Sequence, residues 1–266
     1  MLNQICSNLN RSVVGLLLVF IAPATFAFQP LNTDDTGTQG DGGNQFEFSA
    51  SENRSNSTGV TTRTRTLPVV YTRGLSDTVD IFIGANHTRI RSNNSTLDAS
   101  GGGNPSIGAK WRYYENEESK TSLAIKPEIV IPVSVARENE KLGTGRTSYK
   151  LTLIMTQEVS FGAVHANLLG GRNRYRDSAT PDESILRASV APVFDVAEQW
   201  KLALDVGAER KRTNSTSTRS NFAEIGTIYS YTKDSDFALG VIRTTDNAQP
   251  STGTTFVTLG GTWRFK

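Results

Sequence analysis

The sequence predicts an all-β chain folded as a single transmembrane, antiparallel, up-and-down β-barrel of about twelve strands. Three observations carry that expectation. Strand-like runs alternate apolar and polar residues with period two, the mark of a sheet whose two faces meet different solvents. Connections between the runs alternate between short and long, which a soluble sandwich has no reason to do. Mean hydropathy is −0.35 and 20% of residues are charged, which excludes a bundle of membrane helices.

In chain order, residues 1–27 read as a secretory signal: Arg11 supplies the positive start, and an apolar run follows from Val13 to Ala24. Pro23 interrupts that run, and it is short for a membrane span, which needs ~20 residues. Residues 28–44, F-Q-P-L-N-T-D-D-T-G-T-Q-G-D-G-G-N, have neither helical nor strand period and read as a periplasmic lead-in segment. Their aspartates do not follow the spacing of a calcium loop. Residues 45–266 read as the barrel. The clearest run sets Leu123, Ile125, Pro127, Ile129, Ile131 and Val133 against Lys126 and Glu128. The last run, G-T-T-F-V-T-L-G-G-T-W-R-F-K, puts Val257, Leu259, Trp263 and Phe265 on one face. Short connections are expected at residues 74–77, 115–120, near 158, 195–199 and 232–235. Long ones are expected at 52–59, 92–103, 134–145, 173–183, 211–219 and 244–253. An even strand count with tight turns at one rim places both chain ends on the periplasmic side.

Composition narrows the chemistry. Formal net charge is +2, or +1 once Arg11 leaves with the signal, too small to imply nucleic acid. The single cysteine, Cys6, falls in the signal, so the exported chain has no thiol for a disulfide or a metal site. No cofactor is expected.

Charged residues recur opposite the apolar face, where a barrel places its lumen. The basic candidates are Lys110, Arg112, Lys126, Lys150, Arg187 and Arg264; the acidic ones are Glu47, Glu128, Asp205, Glu209 and Glu224. His165 and Asn167 share that face. Lateral ion pairing that hydrates and stiffens the interior accounts for most of these. Their balance predicts no strong charge selectivity, since selectivity needs rings of one sign.

Several stretches carry a family likeness. They are L-N-T-D-D-T-G-T-Q-G-D-G-G-N-Q-F-E (residues 31–47), the S-I-G-A-K-W-R core of residues 106–112, I-K-P-E-I-V-I-P (residues 125–132), the G-x-G after Leu142 and H-A-N-L (residues 165–168). Together they resemble the bacterial outer-membrane family named for the meta-pathway of phenol degradation. The last strand is similar to the terminal strand by which outer-membrane barrels are recognised for assembly, with Trp263 and Phe265 as candidate signal residues; here Lys266 follows the aromatic. The resemblance implies an outer-membrane channel or transporter, often encoded with aromatic degradation.

The leading expectation is a channel for passive uptake of small aromatic or hydrophobic compounds across the cell outer membrane. Its partners would be outer-membrane lipid, the barrel assembly machinery and the solute. One alternative is a structural or adhesive barrel without transport. The other is a barrel-housed lipid hydrolase built on His165 and Asn167, for which no nucleophile motif lies nearby.

Overall fold

A computed structural model describes residues 31–57, 60–93, 95–247 and 253–266. The expected signal, residues 1–27, lies outside the described residues. Thirteen strands follow in order: β1 Asn44–Ser57, β2 Val60–Gly74, β3 Val79–Ser92, β4 Ala99–Gly102, β5 Ser106–Asn116, β6 Thr121–Val130, β7 Arg146–Val159, β8 Gly162–Arg174, β9 Glu183–Ala197, β10 Trp200–Arg212, β11 Ser217–Thr232, β12 Ser235–Asp246 and β13 Gly253–Phe265. Twelve of them form a closed antiparallel barrel in which chain neighbours pair. The first and last strands close it, from Asn44↔Phe265 to Arg54↔Thr255. Closure gives each of these twelve strands two neighbours, so no edge of the barrel wall meets lipid.

The outer surface is the apolar one. Ile83, Ile107, Ile129, Leu151, Leu168, Ile225, Leu239 and Leu259 are all exposed on the wall. Aromatics gather at the rim with the short turns: Trp263 stacks on Phe265 at 4.8 Å, Phe161 on Phe194 at 4.8 Å, and Trp200 lies 4.7 Å from Tyr229. Rings with one wet and one greasy side suit that boundary. In β5 the pairing with β6 slips between Arg112 and Tyr114, and the extra residue leaves Tyr113 and Tyr114 both exposed.

Four details differ from the sequence reading. Residues 28–44 are expected as a periplasmic lead-in segment; 28–30 lie outside the described residues, and 31–43 run inside the barrel, where Asn32 and Thr33 bond Asp205 and Asp34 meets Lys110 and Lys126. Two expected long loops are largely strand: β1 and β2 pair as far as Ser57↔Val60, and β10 and β11 as far as Arg212↔Ser217. Their Ser, Thr, Asn and Arg residues sit beyond the apolar band, where alternation has no hydrophobic signal to display. The long connection expected at 92–103 contains β4, which pairs with β3 from His87↔Gly102 to Ile90↔Ala99. Val133, expected on the outward face, is instead buried after β6 ends, with its N–H donating to the Thr144 carbonyl at 3.0 Å. That connection carries one short helix, α1 Val135–Asn139, capped by Ser134.

Candidate functional site

The interior is organised by the N-terminal segment. A tight reversal at Gly40–Gly43 turns the chain from the lumen into β1. Gly40 and Gly42 hold φ of 72° and 73°, a region that favours glycine. The reversal is fastened to β2: Gly42 N–H donates to the Gly74 carbonyl at 3.2 Å, and Gly74 N–H donates to Gly43 at 2.8 Å.

From there the segment climbs through the lumen, and each step is taken up by a different strand. Gln39 N–H donates to the Asp80 carboxylate of β3 at 3.1 Å, and the Thr38 hydroxyl to the Asp77 carbonyl at 2.7 Å. Thr36 N–H donates to Thr156 Oγ1 at 3.1 Å on β7. Asp34 sits between two ammonium groups, Lys110 Nζ at 2.9 Å and Lys126 Nζ at 2.6 Å. Burial alone would push the Asp34 carboxyl up; the two lysines outweigh it and hold the group well below the usual carboxylate range. Lys110 also donates to the backbone carbonyls of Asp35 and Gly37. Asn167, in the amide orientation that hydrogen bonding selects, accepts from Asp34 N–H at 2.6 Å. At the far end Asp205 accepts from the N–H groups of Asn32 and Thr33 at 2.9 and 2.8 Å, and from the Thr33 hydroxyl at 2.7 Å. The Asn32 amide donates to Glu224 at 3.3 Å.

The remaining expected lumen residues line the same space, mostly as lateral pairs. Lys150 lies 3.2 Å from Glu128. Arg187 Nε donates to Glu209 at 2.9 Å. Arg264 reaches buried Asp236 at 2.7 Å and Gln45 at 3.2 Å across the closing seam. Arg112 donates to the Asp77 carbonyl at 3.0 Å. Glu47 lines the cavity that also holds Lys110 and Lys126. His165 is buried, its Nδ1 2.9 Å from the Thr156 hydroxyl.

The segment divides the lumen into separate spaces. Toward the short-turn rim lies a cavity of about 390 Å³ that includes Arg112, His165 and Lys201. Toward the long-connection rim lies one of about 340 Å³. Two smaller ones, of about 270 and 200 Å³, flank the segment.

The upper cavity holds what the sequence reading missed, an apolar patch on the inner wall. Phe222, Ile242 and Phe256 line it together with Arg187 and Glu209. Ile242 is directly opposite Phe256 and Glu224 in the ladder. Gly207 makes room for Phe222, because a Cβ there would meet the ring at 2.5 Å. The signal was present: Phe222 shares parity with Glu224, and Phe256 with Thr258, so each is an apolar residue at an inward position. In the neighbouring cavity Lys126 Nζ stands 4.9 Å from the Phe82 ring centre.

Known proteins fit this geometry. An outer membrane channel from Pseudomonas putida F1 superposes with a TM-score of 0.68 at 16% identity, covering 88% of this chain and 100% of that one. The KdgM porin in complex with disordered oligogalacturonate superposes with a TM-score of 0.50 at 8% identity, covering 83% of this chain and 99% of that one. At such identities the likeness establishes the fold, that of an outer-membrane barrel. No curated protein matches the sequence. Residues 27–265 match the family described as "Putative MetA-pathway of phenol degradation", and the chain belongs to that family.

Proposed function

We propose that this barrel is an outer-membrane channel for passive uptake of small aromatic or hydrophobic compounds that carry a polar group. The observation that carries the reading is the upper cavity. Its volume of about 340 Å³ suits one small molecule, with Phe222, Ile242 and Phe256 for a ring and Arg187 and Glu209 for a polar substituent. Family membership supports an aromatic solute. Twelve strands make a lumen narrower than that of the 16–18-stranded porins. Here it is further filled by residues 31–43, so passage requires that segment to shift or a solute to pass beside it.

The protein acts without catalysis on this reading. A lipid hydrolase would need its nucleophile and base where acyl chains are, yet His165 faces the lumen at 2% exposure. A structural or adhesive barrel would have no use for an apolar patch facing water inside its wall. The remaining partners we propose are outer-membrane lipid and the barrel assembly machinery, which would read Trp263 and Phe265.

The test is uptake by liposomes carrying the refolded protein, comparing phenolic acids with sugars of similar size. Faster uptake of the phenolic acids supports the reading. Uptake at the protein-free rate for every solute would remove transport and leave the structural barrel.

A further inference from the structure

The outer face of β1–β3 carries a second charged feature that the lumen does not explain. Along this wall the outward positions run upward in register. Phe46 pairs with Tyr71 and Phe48 with Val69, and above them come Ala50 and Leu67. All belong to the apolar band. The next row is Glu52, Arg65 and Arg89; the one above it is Arg54, Arg63 and Arg91. Five arginines therefore project from the barrel's outside, on the surface that lower down faces lipid.

Their height is fixed by the neighbouring strand. Glu52 is level with Val257 and Arg54 with Thr255, so the cluster straddles the upper margin of the apolar band. That margin belongs to the rim with the long connections, which in outer-membrane barrels faces out of the cell. It is headgroup level in the outer leaflet.

The arrangement is costly for the protein alone. Like charges directly opposite in a ladder destabilise it, and Arg54, Arg63 and Arg91 stand opposite one another in succession. Among the described residues, two carboxylates form ion pairs with these five guanidinium groups. Glu52 is shared by Arg63 and Arg65, and Asp98 lies 2.7 Å from Arg91. Among the described residues no carboxylate forms an ion pair with Arg54 or Arg89. The arginines frame a hollow of about 580 Å³, completed by Thr61, Ser92 and Asn93. Lysine would serve for solubility; arginine offers the planar fork that grips phosphate oxygens in pairs.

We infer that the outer face of β1–β3 is a binding site for a phosphorylated glycolipid of the outer leaflet, with Arg54, Arg63, Arg65, Arg89 and Arg91 holding its phosphates. The acyl chains then lie on the apolar wall below, against Leu67, Val69 and Ile83. The site is independent of transport through the lumen.

The test uses the refolded full barrel, with heat-modifiable migration as proof of folding. Binding is read by native mass spectrometry and by the rise in unfolding temperature. The probes are bis-phosphorylated lipid A, its phosphate-free form and inorganic phosphate. The expected result is that the phosphorylated lipid binds at least roughly tenfold tighter than the phosphate-free form, the scale of one or two charge-assisted contacts. Replacing Arg63, Arg65, Arg89 and Arg91 by Gln should abolish that preference, and replacing all four by Lys should leave part of it. Equal binding of the two lipids by the wild type would overturn the proposal, as would an unchanged preference in the folded Gln variant. Inorganic phosphate giving the same protection as the lipid would assign the cluster to free anions and also sink it. Should the Gln variant not fold, the wild-type comparison of the two lipids and the Lys variant still decide.

Discussion

On the inner surface of β3, β5 and β6, Asp80, Lys110 and Lys126 meet the N-terminal segment, and opposite charges lie within 3 Å of one another around Asp34. On the outer surface of the adjoining β1–β3 wall, arginine stands opposite arginine and more than half of the Arg63, Arg65 and Arg91 side chains is exposed. Around Asp34 the inner charges are matched by the chain itself, because an unmatched charge in a confined space is expensive; Asp205 and Glu224, opposite one another in the ladder, are met instead by N–H and amide donors of Asn32 and Thr33. The outer ones sit where water, ions and lipid headgroups can supply what the chain does not. The same residue types thus serve as internal fasteners on one surface and as an outward-looking surface on the other.

That contrast can be tested at decreasing scale. Deleting residues 31–39 removes the fasteners' partner and joins the cavities; solute flux in liposomes is expected to rise roughly tenfold, and an unchanged flux would show that the barrier lies elsewhere. Asp34→Asn leaves Lys110 and Lys126 facing each other without their shared carboxylate. Denaturant titration of the refolded barrel should then register a loss of about 3 kcal/mol, the scale for breaking a buried pair. Phe256→Ser should lower flux of phenolic acids roughly fivefold and leave sugars unchanged, less than full burial of a ring would give. Glu52→Gln, on the exposed outer face, should leave the denaturation midpoint unchanged within error. A large loss there would make the outer cluster a structural device and erase the contrast.

How far the sequence carried this picture depended on the range over which each feature is written. The barrel wall is local: Leu123 to Ile129 alternate within one strand, so strand identity and facing can be read directly. Lys126 and Glu128 were placed inward by the same parity. Phe222 and Phe256 are legible as inner residues only by phase; by type, an apolar residue of a membrane barrel belongs to the lipid side. The course of residues 31–43 was not legible at all. Their contacts reach 173 residues to Asp205 and 192 to Glu224, and a stretch rich in Thr, Asp and Gly shows no period because each residue answers a different strand. What such a stretch does display is a high density of side chains able to bond in any direction.

The seam between β1 and β13 gives the segment one more property, which concerns time. Residues 31–43 are made before any strand of the wall, yet their seats at Lys110, Asn167, Asp205 and Glu224 are spread over four strands, β5, β8, β10 and β11. Because the segment is joined directly to β1, it reaches those seats together only when β1 has met β13 and the circle is complete. The earliest part of the chain is therefore the last to be seated, and its seating registers that the barrel has closed in the correct order.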